Sequence, residues 1–150
     1  MTLSEEYIDL AFFKSMVEST DTQDDVRYQQ FVNNANRKVS TAIFRYVDLL
    51  LDDGSDDFES AKNAALAYAR HLLSIDIELL EKSKTYLEFY NVELYGEGGT
   101  EASPMAGGLI QKLIASRNSR TETVLAVFDP REHKVILPSQ LDLAATERFQ

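Results

Sequence analysis

This 150-residue sequence predicts a mainly α fold: a helical bundle on two long antiparallel helices, with short flanking helices and a C-terminal β-hairpin in an extended tail. Three observations predict it. Apolar residues recur every three or four positions over two long stretches, about Gln23–Leu51 and about Asp57–Tyr90. The link between those stretches is short and acidic, which forces antiparallel neighbours. Runs rich in β-branched residues gather at 123–128 and 133–137, around a proline turn. At 44% hydrophobic, a chain of this length builds one core rather than two domains.

The elements follow in order. Ser4 to about Glu18 places Tyr7, Leu10, Ala11, Met16 and Val17 near helical spacing, with Thr2 or Ser4 as cap and Glu5 and Glu6 in the first turn. Ser19-Thr20-Asp21-Thr22 competes for backbone hydrogen bonds and predicts a turn. The second helix carries Tyr28, Phe31, Val32, Ala35, Val39, Ala42, Ile43, Tyr46, Val47 and Leu50 on one face. Gly54 suits its C-terminal turn, and Asp56 with Glu59 forms a capping box for the third helix. That helix is alanine-rich in its first half, so a neighbour can approach closely. Its second half ends in Tyr86, Phe89 and Tyr90, followed by Tyr95. Core packing is the ordinary use of these aromatics; a rim for a protein partner is the other. Residues 96–103 read as a flexible linker between a 1–95 helical bundle and a 104–150 docking tail. In the tail, Ser103-Pro104 opens a short helix. Its Met105, Leu109, Ile110, Leu113 and Ile114 form an apolar stripe.

Composition excludes several chemistries. There is no cysteine, so disulfides and thiolate metal sites are ruled out. A net charge of −10 opposes a surface that tracks phosphates. The acids are concentrated in front: residues 1–60 hold 13 acids against 5 bases, whereas residues 101–150 balance 6 against 6. No apolar run approaches a membrane span, and the acidic start lacks a secretory pattern, which predicts a soluble, unexported chain.

No reaction is disclosed. Asp52, Asp53, Asp56 and Asp57 lack the alternating ligands and twelfth-position Glu of a calcium loop, and read as caps and solvated turn. Glu78 and Glu81, with Asp48 on a facing helix, offer an alternative reading as an all-α magnesium-dependent nucleotide hydrolase in the cytosol. Lys82 and Lys84 beside them favour ordinary surface ion pairs. Neither His71 nor His133 follows a Glu-x-x pattern or has an evident partner, so neither di-iron nor nucleophilic chemistry is expected. No catalytic residue, cofactor or metal is expected on these grounds. Docking is the better use of the tail, because an isolated hairpin needs cover. The expected partner-binding residues are Leu109, Ile110, Leu113, Arg117 and Arg120 on and after the short helix. The hairpin adds Val124, Val127, Phe128, Arg131, Lys134, Val135 and Leu137. With Lys112, the basic members suit an acidic partner or another copy of this acidic-fronted chain. A generic helical interaction module satisfies the same pattern.

Two helical stretches carry a family likeness: Phe31-Val-Asn-Asn-Ala35-Asn-Arg-Lys-Val39, and Ala61-Lys-Asn-Ala-Ala-Leu-Ala-Tyr68-Ala-Arg70 leading to Lys84-Thr-Tyr86-Leu-Glu-Phe-Tyr90. In layout and composition over residues 22–90 the chain resembles the head–tail connector, or adaptor and head-completion, proteins of tailed bacteriophages. The resemblance implies a non-enzymatic virion component of the neck, assembled in the host cytoplasm. Copies would form a homo-oligomeric ring between the portal protein and the next tail component, without membrane contact. It also implies that double-stranded DNA passes through the lumen without sequence-specific binding, where acidic front residues would repel phosphates. The 123–137 hairpin departs from the simple tail of that family.

Overall fold

The computed structural model of the chain describes residues 5–47 and 50–117. These residues are mainly helical, with no strand among them: α1 (Leu10–Met16), α2 (Asp25–Tyr46), α3 (Asp56–Asp76), α4 (Leu80–Tyr95) and α5 (residues 109–117). Met1–Leu113 form one compact unit, the body of the molecule. Ile114–Gln150 form a second, of which the described part is the end of α5. The expected hairpin lies outside the described residues.

The apolar stripe of α2 is the spine of the body. Phe31, Val32, Ala35, Val39, Ala42 and Ile43 are all buried, at the spacing the sequence predicts. Asp24 caps the helix by accepting the Arg27 N–H at 2.7 Å. Cross-helix contacts fix the directions of its neighbours. Arg27 pairs with Asp76 at 2.5 Å and Lys38 lies over the Tyr68 ring, so α3 runs opposite to α2. His71 meets Ser83 and Tyr68 meets Tyr90, so α4 runs back along α3.

Five boundaries differ from the sequence reading, each for a physical reason. Residues 5–9 are extended rather than helical, because their backbone is taken by side chains of α2. Asn36 accepts the Tyr7 and Ile8 N–H groups at 3.1 and 3.2 Å and donates to the Ile8 carbonyl at 2.9 Å. Ser40 accepts the Glu5 N–H at 3.0 Å. α1 therefore starts late, with Asp9 as its cap. The second helix stops at Tyr46, beyond which Val47 turns inward and the Glu5 carboxylate accepts the Leu51 N–H. Ser55, not Asp56, caps α3, leaving Asp56, Asp57 and Glu59 in its first turn.

The expected third helix is two helices. At 77–79 the chain closes α3 with a Schellman turn, in which Leu79 N–H donates to the Ser74 carbonyl at 2.8 Å and Glu78 N–H to the Ile75 carbonyl at 3.1 Å. Glu78 sits at φ +63°, where glycine is usual. The final difference is at 96–108. Tyr95 O accepts the Met105 N–H at 2.7 Å, and a Cβ on Gly108 would fall 2.3 Å from Gly96 N. This close backbone crossing holds 104–108 in turns, so α5 begins at 109 rather than at Pro104.

Two outcomes follow from these anchors. Asn36→Ala leaves three buried backbone groups unpaired and is expected to lower unfolding stability by about 3 kcal/mol, against about 1 kcal/mol for Ser40→Ala, measured by urea denaturation. Glu78→Gly relieves the left-handed residue and is expected to raise stability by roughly 0.5–1 kcal/mol, after the entropy that glycine gains in the unfolded chain. A loss of stability in Glu78→Gly would show that the Glu78 side chain, not the turn, holds the corner.

Candidate protein-interaction site

The packing of α3 on α4 begins with small residues. Ala61, Ala64, Ala65, Ala67 and Ala69 are buried along α3 and let α4 come close. α4 answers with Ser83, Tyr90 and Leu94, all buried, and with half-buried Leu87. That is one full stripe of a helix at spacings of three and four. α4 also carries a second apolar stripe, Tyr86, Phe89 and Val92, which no other helix among the described residues covers. Phe89 is 55% exposed and Val92 48%. A helix apolar on two faces and packed on one presents the other for contact.

This second stripe forms one wall of a groove of about 670 Å³, with Leu66 and Ala67 of α3 on the other side. Its polar groups stand around it: Asn63, Arg70, Glu93 and Glu97. The Arg70 guanidinium stacks on the Tyr86 ring, 4.5 Å from its centroid, and Tyr86 meets Phe89 edge-on. The Asn63 amide points to the Glu93 carboxylate at 3.5 Å. An apolar floor with a charged margin is the pattern of a protein-contact surface.

On another side of the α3–α4 pair, a more polar cleft of about 350 Å³ is lined by Lys38, Tyr68, His71, Tyr90, Tyr95 and Glu101, among others. Tyr68, Tyr90 and Tyr95 stack in sequence, with centroids 5.0 and 6.4 Å apart. Burial pushes the Tyr90 and Tyr95 hydroxyls above the ordinary tyrosine pKa, and burial does the same to Tyr7. His71 Nδ1 lies 3.0 Å from Ser83 Oγ and 2.9 Å from the Ser83 carbonyl oxygen. Ser83 is buried, so the pair ties α3 to the first turn of α4. The sequence pattern gives His71 no evident partner, because the twelve positions that separate the pair span a helix break that local spacing does not reveal.

The residues expected to bind a partner are distributed differently. Leu109, Ile110 and Leu113 are buried and form part of this chain's own core. Arg117 is exposed at the end of α5. Arg120, Val124, Val127, Phe128, Arg131, Lys134, Val135 and Leu137 lie outside the described residues. Met105, expected on the same stripe as Leu109, is half exposed in the turn before α5. The carboxylates of the hydrolase alternative do not share a helix face: Glu78 is in the turn, Glu81 is in the first turn of α4, and both are exposed. Asp48 lies outside the described residues. Among the described residues, no group of three or more His, Asp or Glu side chains is placed to hold a metal ion. No helix among them is long and apolar enough to cross a membrane. No protein-family model, curated protein or solved structure matches this chain.

Tyr7, Tyr90 and Tyr95 set an alkaline limit. Their folded-state pKa values are raised, so the native state keeps protons that the unfolded chain releases above about pH 10. Stability is therefore expected to be undiminished by these groups below pH 10 and to fall as the pH rises beyond it. Tyr7 and Tyr90 would each weaken the folding equilibrium up to roughly tenfold per pH unit. Tyrosinate absorbance of the native protein should show three late-titrating residues among its seven tyrosines. A single transition of all seven near pH 10 with the fold intact would contradict the burial.

Proposed function

We propose that this protein is a non-enzymatic structural component of a viral neck, a ring-forming adaptor that joins the capsid portal to the tail. The observation that carries the reading is the uncovered apolar stripe of α4 and its groove, a surface suited to contact with other protein chains. The sequence layout over residues 22–90, which resembles the connector proteins, gives that surface its context. In this reading the C-terminal tail, with the hairpin expected over residues 123–137, docks on the portal or a neighbouring subunit, and the ring offers a platform to the next tail component. A chain of net charge −10 suits a lumen through which DNA slides, because its field repels phosphates. The protein would reside in the virion neck after assembly in the host cytoplasm.

Native mass spectrometry tests the reading, first on the chain alone and then with the portal protein of the same virus. A high-order ring or a stoichiometric portal complex is expected. Removal of residues 118–150, which keeps the buried Leu109, Ile110 and Leu113 in place, should abolish portal binding. A chain that stays monomeric or dimeric and ignores the portal would overturn the adaptor assignment.

A further inference from the structure

The polar cleft between α2, α3 and α4 holds hydrogen-bond donors that the chain itself leaves unused. Tyr90 is the most buried of the residues that line it, at 2% exposure, and its hydroxyl has no hydrogen-bond partner. The Tyr7, Tyr28 and Tyr46 hydroxyls each have one. A buried hydroxyl without a partner forfeits the hydrogen bonds that it makes in water. The Tyr90 ring packs against Tyr68 and Tyr95, which explains the ring but not the oxygen, since a phenylalanine would pack as well. Burial also keeps this hydroxyl protonated, so it is a donor at neutral pH.

The charge beside it is unused too. Lys38 lines the cleft from α2, its ammonium 5.8 Å from the centroid of the Tyr68 ring, and no carboxylate among the described residues pairs with it. Glu101 is the only acid among the described residues of the lining, and Arg45 already pairs with it. The next cleft along α2, of about 290 Å³, adds Arg37, which likewise has no carboxylate partner among them. In a chain of net charge −10, this face keeps positive charge that nothing beside it neutralises. His71 stands outside this set, because its Nδ1 is held by Ser83.

What the cleft lacks defines what it would take. Lys38 and Tyr90 both donate, and no carboxylate is free to hold a cation, so the ligand brings an oxyanion. One cation lines the cleft, which matches a single negative charge; a phosphate dianion would stand half unmatched in the field of an acidic protein. The Tyr68 and Tyr95 rings and Leu87 supply apolar wall, and about 350 Å³ is room for a small molecule. We infer that this cleft binds a small organic carboxylate, whose oxygens take the Lys38 ammonium and the Tyr90 hydroxyl while its apolar body lies against Tyr68, Tyr95 and Leu87. The site lies within one copy of the chain and stands or falls apart from the adaptor reading, since it needs neither ring nor portal.

Phenylacetate is a suitable probe, titrated into the full chain and followed by two-dimensional amide NMR. Saturable shifts are expected at Lys38, Tyr68, Tyr90 and Thr100, residues of the cleft. Phenylacetamide, the same body without the charge, and inorganic phosphate should each bind at least about tenfold more weakly. Lys38→Met, at an exposed position, and Tyr90→Phe should each weaken phenylacetate by about tenfold. Tyr90→Phe should also unfold at a urea concentration no lower than the parent, because the oxygen it removes has no partner to lose. A lower midpoint would show that the hydroxyl serves the core, which overturns the inference. Phosphate held as tightly as phenylacetate, binding that survives Lys38→Met, or shifts confined to Phe89 and Val92 of the apolar groove would overturn it as well. So would the absence of any saturable shift up to roughly 10 mM phenylacetate.

Discussion

How near α4 can come to α3 governs much of the rest of this molecule. The buried alanines of α3 leave room for the helices packed on either side of it, and α4 returns along α3 through a short reversal. Three residues make it. With so few, the backbone must leave the helical region, and Glu78 does so at φ +63° despite the cost of carrying a Cβ there. The same geometry aims Leu79 and Leu80 away from the core. Close packing also means that one stripe of α4 is enough to fill the space beside α3. The remaining apolar stripe, Tyr86, Phe89 and Val92, then has nothing of its own body to cover it. The exposed leucines and the groove are two results of one packing constraint.

The N-terminal segment is held by a different kind of force. Residues 5–9 carry two buried apolar side chains, Tyr7 and Ile8, yet their path is set by hydrogen bonds from α2. One amide, Asn36, satisfies three backbone groups, as a neighbouring strand would. Buried and mid-helix, it would be costly if unpaired, and the extended segment would be costly without it. Each resolves the other. Phe13 then packs edge-on against Tyr28. The Tyr28 hydroxyl donates to the Asp21 carbonyl at 2.7 Å and accepts the Gln23 N–H at 2.9 Å, closing the turn into α2.

Legible in the sequence is whatever depends on neighbours in the chain. The stripe of α2 from Tyr28 to Ile43 and the buried alanines of α3 are patterns of local spacing and are found where the spacing puts them, whereas Leu50 is exposed and Gly54, though left-handed, lies eight residues past the end of α2. The helix break at 77–79 is hidden because Ser74-Ile-Asp-Ile-Glu-Leu-Leu80 contains no glycine or proline. The break answers to a packing demand from the alanines, not to a local propensity. Residues 5–9 read as helical because their partner, Asn36, is nearly thirty positions away. The aromatics at the end of α4 are visible as a group, but spacing alone does not divide them. Tyr90 and Tyr95 go to the core, while Phe89 remains outside. Leu109, Ile110 and Leu113 have the composition of a docking stripe and pack instead within their own unit. The same apolar spacing serves an interior and an interface, and which one it serves depends on what else is near.

Charge constrains how such a chain can associate. At −10 per copy, two molecules repel at long range, so an assembly depends on contacts that are apolar at the centre and locally matched in sign. The first sixty residues hold 13 acids against 5 bases, and residues 56–95, which include α3 and α4, hold 8 against 4. A contact made through either region therefore works against a local acidic surplus and has to be apolar at its centre. Long-range repulsion then disfavours loose clustering of copies and leaves contacts with locally matched charges as the favourable ones. In that sense the acidic surplus contributes specificity rather than affinity.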